Sequence, residues 1–192
     1  MTALTLRPLL PHPAHVDAHV DALAALLVET VAGGGSVGFM DPLAPEEAAA
    51  FWRAALEAAA RGGRVVLGAF AQDECARDER VQGERVQDEL VGTVSLLLDL
   101  PPNQPHRAEI AKMMTRPSHR GRGVATALLR EAERLAAARG RTLLVLDTAV
   151  DGGASGLYEK LGYVRAGEIP DFALKPQGGL TGTRLYWKHL PA

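Results

Sequence analysis

Arg120-Gly121-Arg122-Gly123-Val124-Ala125-Thr126 is the stretch from which the rest of the chain is read. Before it, Arg107-Ala108-Glu109-Ile110-Ala111-Lys112-Met113-Met114-Thr115 has the character of a strand. After it, Val124, Leu128 and Leu135 fall on one face of a helix predicted over 123–139, which Gly140 stops. Two glycines in a strand-to-helix turn let the backbone approach a ligand closely, and the first helical turn offers amides that have no partner inside the helix. A helix mouth of this kind suits an anion, and Arg116, Arg120 and Arg122 add positive charge beside it. A diphosphate is the guest such a turn would hold. The plainer alternative is that the glycines only make a tight turn.

Two common diphosphate binders do not fit. A Walker A loop needs G-x-x-x-x-G-K-S/T, and no such run occurs. A dinucleotide fingerprint needs a third glycine where Thr126 stands, and this strand is the fourth in the chain rather than the first. Working outward, further strands are expected at 5–10, 64–71, 90–100, 141–148, 163–169 and 183–190. Helices are expected at 16–32, from Pro45 to Gly62-Gly63, and at 154–161. The order βααβββαβαββ predicts an α/β (α+β) fold: a mixed, mostly antiparallel twisted sheet flanked by helices, with 107–148 as its parallel unit. The run Leu143-Leu144-Val145-Leu146 predicts a strand buried on both faces. The mixed-charge segment 72–89 echoes itself (Glu79-Arg80-Val81-Gln82, Glu84-Arg85-Val86-Gln87). It is read as a solvated hairpin extension carrying an exposed thiol, Cys75.

Composition narrows the function classes. The 192 residues fit one domain, 1–192, with 47% hydrophobic and 23% charged residues, so disordered and fibrous classes drop out. With 21 Lys+Arg against 23 Asp+Glu, the net charge of −2 argues against a partner read through its phosphate backbone, so no nucleic acid is expected. One cysteine excludes an internal disulfide framework and a multi-thiolate zinc site. No apolar run approaches the ~18 residues of a membrane helix, and 1–11 lacks a signal-peptide pattern. A soluble, cytoplasmic protein with no membrane partner is the expectation. His15 and His19, at i and i+4, have zinc-compatible spacing. Pro13 keeps His12 off that helix, so solvated histidines and no metal are expected.

The element order, together with Arg-x-x-Gly-x-Ala at 120–125, resembles the acetyl-CoA signature Gln/Arg-x-x-Gly-x-Gly/Ala of the GNAT superfamily of N-acetyltransferases. The likeness runs back through 108–115 and forward through Leu144-Val145-Leu146-Asp147-Thr148 and Leu157-Tyr158-Glu159-Lys160-Leu161-Gly162-Tyr163. It covers most of 90–190, whereas the N-terminal third matches only in its strand–helix–helix order. Pro105-His106-Arg107-Ala108-Glu109, Asp147-Thr148 and Gly167-Glu168-Ile169-Pro170 look most like the branch containing the tabtoxin-resistance acetyltransferase.

This resemblance implies a GNAT-like acyl-CoA N-acyltransferase fold, acetyl-CoA as cosubstrate, and direct transfer of an acetyl group to a primary amine of a small molecule or peptide, with a homodimer left open. It implies that the pantetheine arm lies between the strands at 107–115 and 141–148, bonded by the backbone of Met113, Met114 and Thr115. Arg120, Gly121, Arg122, Gly123, Val124, Ala125 and Thr126 would hold the pyrophosphate. The Met113 amide would stabilise the oxyanion.

A neutral amine requires a proton acceptor, and the likeness points to Glu109. The plainer reading pairs Glu109 with Arg107, two residues away on one strand face. Tyr158 resembles the family's general acid; the plainer reading is a core aromatic with its hydroxyl bonded to backbone. Many relatives carry Asn seven residues before that tyrosine, and this chain has Asp151, which is left out of the site. Phe39, Met40, Phe172 and Leu174, from loops 36–43 and 171–180, would line the acceptor pocket, with Asn103 and His106 at its rim; the alternative is that they are local core. Glu109 and Asp171 would favour a small cationic amine. The rival classes are a non-catalytic acyl-CoA sensor, in which Glu109 and Tyr158 are structural, and an interaction module built on 72–89.

Overall fold

The computed structural model describes residues 4–11, 15–71, 88–152 and 154–191. Seven strands form one sheet: β1 (Leu4–Leu9), β2 (Arg64–Ala71), β3 (Glu89–Leu97), β4 (Arg107–Thr115), β5 (Leu143–Ala149), β6 (Val164–Leu174) and β7 (Leu180–His189), in the order β1-β2-β3-β4-β5-β7-β6. Every neighbouring pair is antiparallel except β4 and β5. The helices are α1 (Val16–Ala32), α2 (Pro45–Ala60), α3 (Val124–Ala137) and α4 (Ser155–Lys160). This is the mixed, mostly antiparallel sheet expected from the element order.

The sheet is covered on two sides because its strands alternate. On β2, Val66 and Phe70 pack with Leu23, Leu27, Trp52 and Leu56 of α1 and α2. Val65, Leu67 and Ala69 pack with Leu128, Leu129 and Ala132 of α3 on the other face. Helix α2 begins with Pro45 at its first position and Glu46 and Glu47 in its first turn, where a fixed φ and negative charge both favour initiation.

Three expectations need correction. β5 is not buried on both faces: Leu144 and Leu146 are buried, while Leu143 and Val145 are only half-buried. The core under α1 and α2 contains no buried β5 residue, so its cover ends at β4. The strand expected at 163–169 runs on to Leu174, and its partner starts at Leu180. Pro170 is accommodated there because β6 is an edge strand whose register slips between Ile169 and Ala173. The strand expected to reach 100 ends at Leu97, short of Pro101. The extension at 72–89 lies outside the described residues except for Asp88 and Glu89, and Cys75 and His12 lie outside them too. Among the described residues no helix is long and apolar enough to cross a membrane.

Candidate active site

β4 and β5 pair only at Arg107↔Leu143, Ala108↔Leu144 and Glu109↔Val145. Both strands continue, β4 to Thr115 and β5 to Ala149, but without facing partners. A wedge therefore opens in the middle of the sheet, leaving one edge of each strand with unpaired backbone groups that need partners. On its other side β4 stays bonded to β3 through a bulge: the register jumps from Thr93↔Met114 to Ser95↔Ala111, and Lys112 takes φ +51°.

One long cleft follows this wedge. Met113, Met114 and Thr115 line it, as do Arg120, Gly121, Gly123, Val124, Ala125 and Thr126. Gly121 and Gly123 have φ +73° and +82°, and Gly123 is the N-cap of α3, whose first turn no side chain caps. The sequence reading of a glycine turn with free amides at a helix mouth matches this geometry. Glycine is required for its φ and not to relieve crowding, since a Cβ at either position would meet nothing within 4 Å. Arg122 is exposed and lies outside the cleft wall. Arg116 is not available to a diphosphate. Its Nη1 donates to Glu29 Oε2 at 2.8 Å, and its Nε donates to the Leu90 carbonyl at 2.9 Å beside Glu89. It ties α1 to β3.

Tyr158 is 5% exposed, yet its ring reaches the cleft wall. It packs against Tyr163 (5.8 Å between centroids, edge-to-face) and Tyr186 (5.9 Å), and Tyr186 Oη donates to Glu159 at 3.0 Å. The Tyr158 hydroxyl has no hydrogen-bond partner among the described residues, which removes the backbone-bonded alternative. Burial, with the charge of Asp147 second, pushes its pKa up to about 12.

Glu109 stands elsewhere. It is half-buried, 3.6 Å from Arg107 Nη1, and outside the cleft wall. The carboxylates that do line the cleft are Glu47, Asp147 and Asp151. Asp147 Oδ2 accepts a hydrogen bond from Thr183 Oγ1 at 2.9 Å. Asp151 is held by Lys175 at 3.0 Å; the hydrogen bond and charge of that lysine keep its carboxyl below the usual carboxylate range.

The four residues singled out from the sequence for an acceptor pocket, Phe39, Met40, Phe172 and Leu174, all line the cleft. Their loops are bonded together. The Asp41 amide donates to the Pro176 carbonyl at 2.9 Å, and Gln177 Nε2 donates to the Val31 and Ala32 carbonyls, each at 3.2 Å. Asn103, His106 and Asp171 are not part of the wall. The His106 carbonyl instead accepts the Thr142 and Leu143 amides, at the paired end of β4.

Lys112 was missed in the sequence. Its Nζ donates to the Val37 carbonyl at 2.7 Å and lies 5.6 Å and 5.4 Å from the Phe39 and Phe51 ring centroids. The available signal was a lone cation inside Ile110-Ala111-Lys112-Met113-Met114.

The family model "Acetyltransferase (GNAT) family" matches residues 49–163, more than half of the chain. The chain belongs to the GNAT acetyltransferase family. Solved structures share the fold. An N-acetyltransferase from Staphylococcus aureus Mu50 is 18% identical with a TM-score of 0.73, covering 99% of this chain and 100% of that one. A GCN5-related N-acetyltransferase from Kribbella flavida is 19% identical at 0.71, covering 98% of each. The yncA protein of Salmonella typhimurium, solved with its cofactor acetyl-CoA, is 18% identical at 0.70, covering 98% of this chain and 95% of that one.

Proposed function

We propose that this chain transfers the acetyl group of acetyl-CoA directly to the primary amine of a small molecule. The observation that carries the reading is the wedge between β4 and β5 running into the glycine turn of α3, with a buried phenol on its wall. The residues fit the cosubstrate. An amide-rich pantetheine arm would find unpaired backbone at Met113, Met114 and Thr115, and a pyrophosphate would find the uncapped amides of Val124, Ala125 and Thr126 beyond two left-handed glycines. Acetyl-CoA supplies an activated acyl group; the chain supplies orientation and proton handling.

In direct transfer a C–N bond forms, the C–S bond breaks, the amine loses a proton and the sulfur gains one. The Met113 amide is the donor offered to the carbonyl oxygen as charge grows there, a role whose loss costs about 3 kcal/mol. Tyr158 donates toward the departing sulfur. Glu109 can reach the amine only through water, because it lies outside the cleft wall beside Arg107. Asp147, on the wall and oriented by Thr183, supports a second reading in which it meets the amine directly.

Free-thiol release from acetyl-CoA over a panel of amines tests the activity. Acetyl-CoA binding without acceptor-dependent release would favour the sensor reading. Glu109→Gln and Asp147→Asn then separate the two bases, since only the true base moves the acidic limb of the pH–rate profile.

A further inference from the structure

Lys112 has no role in the chemistry above, and its situation is costly. It sits at φ +51° in the β4 bulge, a conformation that is uncommon for a residue with a side chain. Its half-buried ammonium lies in the cleft wall, where burial first and Arg64 second hold it below the ordinary lysine range, while Asp147 pulls it back. One of its three N–H groups is taken by the Val37 carbonyl, and no carboxylate lies within ion-pair distance among the described residues. Of the three carboxylates on the wall, Asp151 is paired with Lys175, while Asp147 accepts from Thr183 through Oδ2 and keeps Oδ1 for another donor.

The side chain reaches the acceptor loop, not the glycine turn. Its Nζ contacts Val37, faces the Phe39 ring, and would lie 3.2 Å from a Cβ at Gly38, so the diphosphate is not its partner. The two ring faces and one carbonyl offset part of the desolvation of this half-buried cation, and an anion would take up its remaining donors. Phe39 lies beside it, and Met40, Phe172 and Leu174, each about half exposed, line the same cleft.

We propose that the acceptor is an amine that also carries a carboxylate and an apolar body, of the amino-acid type, with Lys112 gripping the carboxylate. This rests on the acetyltransferase reading and narrows its substrate class. Asp147 on the same wall receives the amine, and the loop aromatics receive the side chain. The sequence alone favoured a small cationic amine through Glu109 and Asp171, but neither residue lines the cleft, and Lys112 adds a carboxylate to what the amine must carry.

The test compares matched pairs: L-methionine, L-leucine, L-phenylalanine and L-tryptophan, each against its carboxamide, by thiol release from acetyl-CoA. Calorimetry of acetyl-CoA binding runs in parallel. The expected result is a kcat/KM at least tenfold higher for the acid than for the amide of at least one pair. That ratio should collapse toward one in Lys112→Met and be retained largely in Lys112→Arg. A lysine that merely holds the 36–43 loop would lower both members equally, and an unchanged ratio in Lys112→Met overturns the proposal. So does a wild-type ratio near one, or the absence of thiol release from every acid by a protein that still binds acetyl-CoA. Loss of acetyl-CoA binding itself would instead bring down the acetyltransferase reading, and this proposal with it.

Discussion

Tyr158 shows how one residue's environment sets its chemistry. A phenol near 12, set in the proposed transfer against a thiol of ordinary pKa about 8.5, would be mismatched by about 3.5 units, so complete proton transfer would cost on the order of 5 kcal/mol. In the proposed transfer, sulfur desolvated in the same cleft would become more basic, and Tyr158 would act by donating a hydrogen bond as the C–S bond lengthens. Tyr158→Phe should lower turnover at least tenfold with acetyl-CoA affinity changed less than twofold, read by steady-state rates and calorimetry. Unchanged turnover would remove the hydroxyl from the chemistry. The raised pKa also links to stability: its contribution is complete below pH 10 and is lost as pH rises toward 12, because the unfolded chain ionises first. Urea unfolding of the wild type should therefore weaken across pH 10–12. Tyr158→Phe should remove up to about 3 kcal/mol of that fall.

At the scale of elements, the strand–turn–helix unit was legible because its demands are local. Two glycines at +73° and +82° and an apolar period of three and four need no distant partner to be read. Gly123→Val forces a β-branched side chain into the left-handed region, at a cost of about 1–3 kcal/mol. It should weaken acetyl-CoA binding at least tenfold while leaving the far-ultraviolet circular dichroism of the helices intact; equally tight binding would contradict an anion site at this turn. Arg116 was misread for the opposite reason. It stands four residues from the turn, but its partner Glu29 is 87 residues away in sequence and belongs to α1, so only tertiary structure reveals that its charge is spent. Lys112 and Glu109 follow the same pattern. Which strand-β4 side chains enter the cleft depends on the bulge opposite Thr93 and Ser95, and a bulge leaves no mark in hydrophobic periodicity.

At the scale of the whole molecule, the described residues form two cores divided by the sheet, one around Leu27, Trp52 and Leu56 and one around Leu128, Leu129 and Leu144. Leu27→Ala and Leu128→Ala each empty a fully buried site and should cost about 2–5 kcal/mol in urea titrations. Lying in different clusters, they should add to within about 0.5 kcal/mol in the double variant. A larger departure would mean that the sheet transmits strain between its faces.

The bonds from Asp41 to Pro176 and from Gln177 to the end of α1 have a practical corollary for anyone seeking to retarget the protein. The rim proposed to recognise the acceptor is a composite of two segments more than 120 residues apart in sequence, clasped by main-chain and amide contacts whose geometry neither segment sets alone. Grafting residues 33–43 from a homologue would transplant half a lock. Chimeras that exchange 33–43 and 171–180 as a matched set should keep a formed rim, whereas single-segment swaps should lose discrimination among acceptors before they lose the fold.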